Sequence, residues 1–285
     1  MNLLKLNQNE KDELNEYFKY NFFLPFKSVK HYKNPNKMLV IADMHLPFHH
    51  QKYFTQTIND NLDCLNLYIV GDAFDFYSMS RFRKIRTINL RDELPPAYDE
   101  FKNMCKHFET VYYMAANHDY RPAKYLYDNV PNELLYLVKT DIVMDLIKLI
   151  PNVKLVTQQT IGARQLNYIH QLNDVVFSHV EISSVVKNKP VQDIYRKLRT
   201  EWEYNYNIKN YKAIIQGHNH TCGWISVDGC RLYHIPSLIN IDAQAFDYVY
   251  DGRLRGCSPS LGYMVITWDN NKIDLNKTYI YEWQK

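Results

Sequence analysis

The sequence lacks the patterns that mark several classes of protein. No C-x-x-C pair occurs, which excludes a zinc finger of the usual ligand spacing. No run of about 18 apolar residues occurs, so we expect no helix that spans a membrane. The net charge of +3 is small for 285 residues, and charge alone does not require a nucleic-acid partner. Internal repeats and low-complexity tracts are also missing.

Cysteine is scarce and widely spaced. The five cysteines are Cys64, Cys105, Cys222, Cys230 and Cys257. Their odd number and wide spacing favour buried free thiols in a reducing compartment. The first residues do not resemble a signal peptide, because Lys5 and polar residues follow Leu3 and Leu4 directly. We therefore expect a cytoplasmic protein, or one of the host cytoplasm if a phage or virus encodes it.

The rest of the composition is that of a globular protein. Hydrophobic residues make up 46% of the chain and charged residues 23%, which is typical of a chain that packs a core. Residues 1–37 are polar and aromatic with weak periodicity, and Pro35 lies near their end. We expect residues 1–37 to form an N-terminal extension or linker and residues 38–285 to form one domain.

Short apolar runs that end in polar side chains recur along the chain. Residues 68–70 are good strand formers, and Gly71 permits a turn before Asp72. Open α/β sheets place their ligand sites at the carboxyl ends of such strands. Five predicted strands end in this way, at Asp43 and His45, at Asp72 and Asp75, at Asn117, His118 and Asp119, at His179, and at His218 and His220.

The polar residues at these strand ends are of the types that bind metal ions. Residues two apart in an extended segment point the same way, so Asp43 and His45 can reach one ion together. Asp, Asn and His without thiolates suit divalent Mn, Fe, Zn or Ni. Seven such ligands are too many for one tetrahedral ion and enough for two ions about 3.5–4 Å apart that share a carboxylate. We therefore expect two divalent metal ions, with Mn²⁺ as the first choice and Fe, Zn and Ni as alternatives.

Taken in order, these segments resemble a known family. The order D-x-H, G-D-x-x-D, N-H-D, H and G-H-x-H, each after an apolar strand, is similar to that of the calcineurin-like metallophosphoesterase superfamily. The resemblance covers roughly residues 38–220. It implies an α/β fold, namely a four-layer α-β-β-α sandwich of two mixed sheets with the metal ions at one edge.

The resemblance also implies a role for each polar residue. A first metal ion would be bound by Asp43, His45 and His220, a second by Asn117, His179 and His218, and both by Asp72. His118 would lie near the substrate phosphate and protonate the leaving oxygen. Asp119 and Asp75 would orient imidazole rings. A hydroxide that bridges the two ions would attack phosphorus in line.

Two departures from the family pattern bear on the substrate. Phe76 stands where the Ser/Thr protein phosphatases of the superfamily carry Arg, and Asp119 stands where they carry Glu. Both differences argue against a protein phosphatase. The implied activity is hydrolysis of a phosphodiester or phosphomonoester, with a nucleotide or another small molecule as the substrate.

Two alternative functions stay open at this point, as does the oligomeric state. The basic segment from Arg81 to Arg91 would suit a nucleic-acid backbone, which favours a nuclease on DNA or RNA. We expect Arg81, Arg83 and His49 to contact the substrate. A non-catalytic scaffold is the third hypothesis, and it is disfavoured because every ligand position and His118 are intact.

Two helices are predicted from periodicity and proline. Apolar residues recur at helical spacing over residues 134–149 and predict one long helix that Pro151 ends. The pair Pro95-Pro96 is expected to separate the basic segment from an amphipathic helix that follows it. Further along, Arg121 should begin another helix, because the proline after it is favoured in a first helical turn.

Overall fold

The fold is described by a computed structural model over residues 26–27, 32–81, 88–138, 142–156, 168–184, 186–202, 207–240 and 259–284. The strands are β1 (Asn34–Ile41), β2 (Cys64–Val70), β3 (Thr110–Met114), β4 (Val153–Leu155), β5 (Ile169–Leu172), β6 (Val175–Ser178), β7 (Ala213–Gln216), β8 (Gly223–Val227), β9 (Cys230–His234), β10 (Gly262–Asp269), β11 (Lys272–Ile273) and β12 (Tyr279–Glu282). The α-helices are α1 (Gln51–Asp60), α2 (Leu90–Cys105), α3 (Arg121–Asn129), α4 (Ile142–Lys148) and α5 (Lys189–Lys197). Tyr77–Met79 and Asn132–Leu137 form 3₁₀ helices, and Leu198–Trp202 continues α5 as a π-helix. None of the described helices is long and apolar enough to cross a membrane.

Seven of the described strands form the first sheet. Their order is β11-β10-β1-β2-β3-β4, and β12 also pairs with β10. Strands β1 to β4 are parallel, whereas β10 is antiparallel to β1. Parallel neighbours need crossover connections, and α1 and α2 supply two of them. Because parallel strands share one direction, the carboxyl ends of β1, β2 and β3 lie at the same edge.

The second sheet has five of the described strands, in the order β5-β6-β7-β9-β8. Its three central strands are parallel, and the edge strands β5 and β8 are antiparallel to their neighbours. Helix α5 lies in the connection between β6 and β7. Both sheets therefore mix parallel and antiparallel pairs, which confirms that part of the predicted fold.

The two sheets pack face to face, with helices on their outer faces. Val40, Val70 and Met114 of the first sheet share a buried cluster with Phe177 and Ile215 of the second. A second cluster joins the other face of the first sheet to α1, α2 and α4, and a third joins the second sheet to α5. The layers run helix, sheet, sheet, helix, which confirms the predicted four-layer α-β-β-α sandwich.

Strand β1 shows how one apolar run supplies two cores. Side chains alternate between the faces of a strand. Leu39 and Ile41 lie in the cluster under the helices, whereas Met38 and Val40 lie between the sheets. A strand covered on both faces reads as a continuous apolar run, as this one does. β1 begins at Asn34, four residues before the predicted strand.

The single long helix predicted over residues 134–149 is wrong. A 3₁₀ helix ends at Leu137, Val138 is extended with φ −107° and ψ 127°, and α4 begins only at Ile142. Leu134 and Leu137 are 47% and 66% exposed. Their helical spacing therefore does not mark a buried face, and among the described residues of 134–149 only those of α4 belong to the core cluster.

The helix boundary predicted from Pro95 and Pro96 is also wrong, because both prolines lie inside α2. Glu93, in the first turn of α2, is buried and accepts the main-chain N–H groups of Tyr77 and Ser78 at 2.6 and 2.9 Å. This tertiary contact stabilises a start at Leu90 and outweighs the local cost of the prolines.

The packing between the sheets predicts the effect of one core substitution. Phe177 stacks on Tyr68 with ring centroids 3.6 Å apart, and both residues are 0% exposed. Phe177→Ala should lower the free energy of unfolding by about 3–5 kcal/mol, since it removes buried contacts and leaves a cavity. The control Tyr136→Ala, at a residue that is 82% exposed, should change it by less than about 0.5 kcal/mol. Chemical denaturation measures both values, and equally small changes would contradict this packing.

Candidate metal centre

Strand ends from both sheets meet at one edge of the sandwich. The first polar residues beyond β1, β2, β3, β6 and β7 that belong to the centre are Asp43, Asp72, Asn117, His179 and His218. Two hydrogen bonds join the sheets here. His179 Nδ1 donates to the main-chain oxygen of Val70 at 2.7 Å, and the main-chain N–H of His218 donates to Asp43 Oδ2 at 3.0 Å. The structure therefore brings together strand ends that are far apart in the sequence.

Left-handed backbone conformations concentrate in this centre. Five of its residues have φ between 48° and 69°, namely Asp43, His45, Asp72, His218 and His220. Such a conformation costs about 1–3 kcal/mol in a residue other than glycine and persists only where the surroundings fix it. One of these restraints is the main-chain N–H of His45, which donates to the carbonyl oxygen of Asp72 at 3.0 Å.

Gly71 makes the close approach of the two sheets possible. Its φ is +76°, and a Cβ at this position would overlap the His179 ring and the methyl group of Ala116. Gly217 also leaves space for the His179 ring, because a Cβ at this position would lie 2.7 Å from His179 Nδ1. Two of the eight glycines in the chain thus leave room for one imidazole.

Asp43, His45 and His220 form the first group of possible metal ligands. One ligand atom from each lies within 4.8 Å of the other two. Asp43 Oδ1 is 3.1 Å from His220 Nε2 and 3.9 Å from His45 Nε2. All three side chains are buried, so a cation among them would be largely shielded from water.

Asp72, His179 and His218 form a second group within the same 4.8 Å limit. Asp72 Oδ2 is 3.1 Å from His179 Nε2. Asn117 lines the same cleft as Asp72 and His218, and its Oδ1 is buried without a hydrogen bond to any described residue. A buried carbonyl oxygen without a partner costs free energy, and a bound cation would remove that cost.

The two groups belong to one continuous centre. A third group, His45, Asp72 and His118, shares His45 with the first group and Asp72 with the second. Asp72 Oδ1 accepts the main-chain N–H of His118 at 2.9 Å, and its Oδ2 is 3.9 Å from His118 Nε2. Asp72 therefore connects the second group to the residues His45 and His118.

The buried charges of the centre depend on one another. Burial alone would raise the pKa of Asp43, but His220 and His179 hold it below its usual value. Burial would also raise the pKa of Asp72, and His179 holds it well below that value. Burial would lower the pKa of His179, yet Asp72 and Asp43 raise it to about 10. Burial and the nearby His179 lower the pKa of His218 to about 3. The carboxylates thus attract positive charge, which either protons or divalent cations supply.

The donor atoms fit divalent metal ions. Asp43 Oδ1 and His179 Nε2, like Asn117 Oδ1, are buried and make no hydrogen bond within the described ranges. Because Nδ1 of His179 donates to Val70, Nε2 is the atom left to bind a metal ion. Carboxylate, amide and imidazole donors suit divalent Mn, Fe, Zn or Ni. The Asp and His clusters can therefore bind metal ions.

Asp75 connects this centre to His118. Its Oδ2 accepts a hydrogen bond from His45 Nδ1 at 2.9 Å and lies 3.2 Å from His118 Nδ1. Its Oδ1 accepts a hydrogen bond from Arg121 Nη1 at 3.0 Å. Burial alone would raise the pKa of Asp75, but the Arg121 guanidinium and then His118 hold it well below the usual range. The hydrogen bond to this carboxylate fixes the orientation of the His45 imidazole.

Asp119 has different partners from those expected. Its Oδ1 accepts the main-chain N–H of Phe74 at 3.0 Å, and its Oδ2 accepts that of Ala116 at 2.8 Å. The carboxylate therefore ties the loops after β2 and β3 together and does not orient an imidazole through these bonds. Burial, with a contribution from Asp72, raises the pKa of Asp119 to about 7.

The contact of Arg121 with the centre was not predicted from the sequence, which indicated only that a helix begins at this residue. The helix does begin there, as predicted. Its side chain turns back to the centre, with Nη2 3.0 Å from His118 Nε2. The contact could have been predicted from the sequence, because Arg121 follows His118 by three residues and side chains at this spacing are neighbours on a helix.

A cleft of about 960 Å³ opens from the centre. Its walls include Asp72, Asn117, His118, His218 and His220 from the centre, Arg121, Lys124 and Asp128 from α3, and Glu181, Lys187 and Asn188 from the segment before α5. The cleft thus reaches well beyond the metal-ligand groups and leaves room for a substrate.

The three predicted substrate contacts have different positions. Arg81 lines the cleft and forms an ion pair with Asp128. Arg83 lies outside the described residues. His49 is not among the described residues that line the cleft, and it is 4% exposed with its ring against Phe54. Burial lowers the pKa of His49 to about 4. In this position the His49 ring packs on the core, and its contact with a substrate stays a prediction.

Comparisons with known proteins extend to structure only. No model of a protein family matches the chain, and no curated protein sequence matches it. An archaeal phosphodiesterase of solved structure shares 12% sequence identity at a TM-score of 0.39, over 87% of this chain and 98% of its own. Vacuolar protein sorting 29 from Cryptosporidium parvum shares 10% identity at a TM-score of 0.38, over 88% and 98%. A predicted phosphoesterase from Streptococcus pneumoniae shares 9% identity at a TM-score of 0.34, over 87% and 98%. These values are too low to support conclusions about the centre.

The central place of Asp72 predicts the effect of removing its charge. Asp72→Asn should lower the affinity for metal at both ligand groups, because the amide keeps the shape and loses the negative charge. Elemental analysis after equilibration with Mn²⁺ measures the number of bound ions per chain. Asp63→Asn is the control, since Asp63 pairs with Lys37 near the surface. Two ions bound to Asp72→Asn at the affinity of the parent protein would contradict this place for Asp72.

Proposed function

We propose that this chain is a metal-dependent hydrolase of phosphate esters. One observation carries the proposal: two groups of possible metal ligands, linked through the overlapping group of His45, Asp72 and His118, lie together where a cleft opens. The order of these residues in the sequence is also that of the calcineurin-like metallophosphoesterases, which it resembles. Two metal ions beside an imidazole form an arrangement suited to displacement at phosphorus.

The proposed ligands follow the groups in the structure. A first ion would be held by Asp43, His45 and His220, a second by Asn117, His179 and His218, and both by Asp72. Asp72 belongs to the second group and, together with His45 of the first group, to the third, which supports its bridging role. We propose Mn²⁺ as the native ion, although the donor types suit Fe, Zn and Ni as well.

The residues around the ions supply positioning and proton transfer. Divalent cations bound there would lower the pKa of a coordinated water and neutralise charge on the phosphoryl oxygens. Hydrolysis joins the oxygen of water to phosphorus and breaks the bond from phosphorus to the leaving oxygen, which must gain a proton. His118 lines the cleft and is the proposed donor of that proton. The carboxylate of Asp75 lies 3.2 Å from Nδ1 of His118.

The dimensions of the cleft favour a small substrate. Its volume of about 960 Å³ is in the range of sites that enclose small molecules. Both arginines on its described walls already have carboxylate partners, namely Asp128 for Arg81 and Asp75 for Arg121. The walls are therefore less basic than a count of cations suggests. We propose a nucleotide or another small phosphodiester or phosphomonoester as the substrate.

A nuclease is the second candidate function. The exposed Lys124 and Lys187 on the cleft walls would favour the phosphates of a longer strand. A non-catalytic scaffold is less well supported, since the ligand residues converge and His118 lies in an open cleft. The cytoplasmic location and the domain boundary at residue 38 stay predictions.

Removal of the His118 imidazole tests the proposed hydrolase. His118→Ala should bind the same number of metal ions as the parent protein and lose about 100-fold or more in kcat, because it lacks the proton donor. The assay compares a chromogenic phosphodiester, a chromogenic phosphomonoester and a labelled oligonucleotide, each with Mn²⁺. His107→Ala is the control, since the His107 ring packs on Phe26 and is not among the described residues of the cleft wall.

The outcomes distinguish the candidate functions. Turnover of a small ester that depends on His118 supports the proposed function, and cleavage of the oligonucleotide alone supports the nuclease. If His118→Ala kept the parent rate, the proton-donor role would be wrong. A metal-loaded parent protein that hydrolyses none of the three substrates would favour the scaffold.

A further inference from the structure

Arg121 is a half-buried cation on the wall of the cleft. It is the first residue of α3, and its side chain is 13% exposed. Other cations on the described cleft walls are more exposed, with Arg81 at 59% for its side chain and with Lys124 and Lys187 at the surface. Arg121 is therefore the least exposed of these cations, and it contacts His118, the proposed proton donor.

One end of the guanidinium is fixed. Arg121 Nη1 donates to Asp75 Oδ1 at 3.0 Å and to the main-chain oxygen of Asp75 at 2.9 Å. The carboxylate of Asp75 is itself held by His45 Nδ1 at 2.9 Å. Both acceptors belong to Asp75, which is buried, so loss of these two bonds would leave buried acceptors unpaired.

The other end of the guanidinium faces the cleft. Arg121 Nη2 lies 3.0 Å from His118 Nε2. A guanidinium has donors only, so in this contact Nε2 of His118 must be the acceptor. A proton donor for the leaving oxygen needs that same nitrogen free of Arg121. The contact is thus suited to the free protein and has to change when a substrate binds.

We propose that Arg121 binds the phosphoryl group of the substrate, with Nη2 transferring from His118 to a phosphoryl oxygen while Nη1 stays on Asp75. This inference rests on the proposed function. An anionic phosphoryl oxygen is a stronger acceptor than a neutral imidazole nitrogen, which favours the exchange. The planar fork of a guanidinium can hold Asp75 and a phosphoryl oxygen at the same time. The exchange leaves His118 Nε2 facing the leaving oxygen.

Variants of Arg121 test this role through the binding of inorganic phosphate, with kcat and KM as further readouts. Arg121→Met keeps much of the side-chain volume and removes every donor. It should weaken the binding of phosphate by about 10- to 100-fold, the value of a hydrogen bond between charged groups. Arg121→Lys keeps the charge and should recover part of the affinity, although it cannot reach both partners. Metal content should equal that of the parent protein in both variants.

Arg196→Met is the matched control. The Arg196 side chain is 68% exposed, pairs with Asp193 at 3.2 Å on α5 and does not line the described cleft. The Arg196→Met variant loses the same charge as Arg121→Met. It should keep the phosphate affinity and the kcat of the parent protein, because exposed ion pairs contribute little to stability. Isothermal titration with phosphate gives the affinities of all four proteins.

The outcomes separate this inference from the proposed function. Unchanged phosphate affinity in Arg121→Met, in a protein that hydrolyses esters, would overturn the role of Arg121 and leave the proposed function intact. If the parent protein binds phosphate through Arg121 but hydrolyses no ester, the result would support the role of Arg121 in phosphate binding and contradict the proposed hydrolase function. If Arg121→Met does not fold, Arg121→Lys decides, and parent-like affinity together with parent-like KM in that variant would overturn the inference.

Discussion

Two carboxylates buried between two sheets set the main constraint on this molecule. Asp43 and Asp72 are 0% and 1% exposed, and an ionised carboxylate is costly to bury unless positive charge lies next to it. Imidazoles from the second sheet approach both carboxylates to within about 3 Å, at 3.1 Å in each case. The charge balance of the centre therefore depends on the docking of one sheet on the other.

The local features of the centre follow from this constraint. Gly71 and Gly217 leave space for the ring of His179, and five residues of the centre adopt left-handed backbone conformations. Such backbone strain is retained where the surrounding packing is strong enough to hold it. Here the three apolar clusters of the sandwich provide that packing. The packing of the sheets thus fixes the positions of the strand ends, and these strand ends carry the residues of the centre.

Much of the fold and the positions of the polar strand ends could be predicted from the sequence, because each strand is a short apolar run with its polar residues directly after it. The helix predicted over residues 134–149 was not found, since helical spacing does not reveal whether a face is covered. The position of Pro95 inside α2 depends on Glu93 binding the N–H groups of a distant segment. The contacts of Asp119 and Arg121 depend on loops that meet only in the folded chain. Polar residues that directly follow a strand can be predicted from the local sequence, whereas contacts between distant loops cannot.

The proposed hydrolase depends on a pair of metal ions held by the two ligand groups around the carboxylate of Asp72. Electron paramagnetic resonance of the full chain loaded with Mn²⁺ tests for this pair, because ions about 3.5–4 Å apart are close enough for their spins to couple. We expect the signal of a spin-coupled pair, with two ions bound per chain. The signal of isolated Mn²⁺ alone at saturating metal, or the absence of bound Mn²⁺, would contradict it.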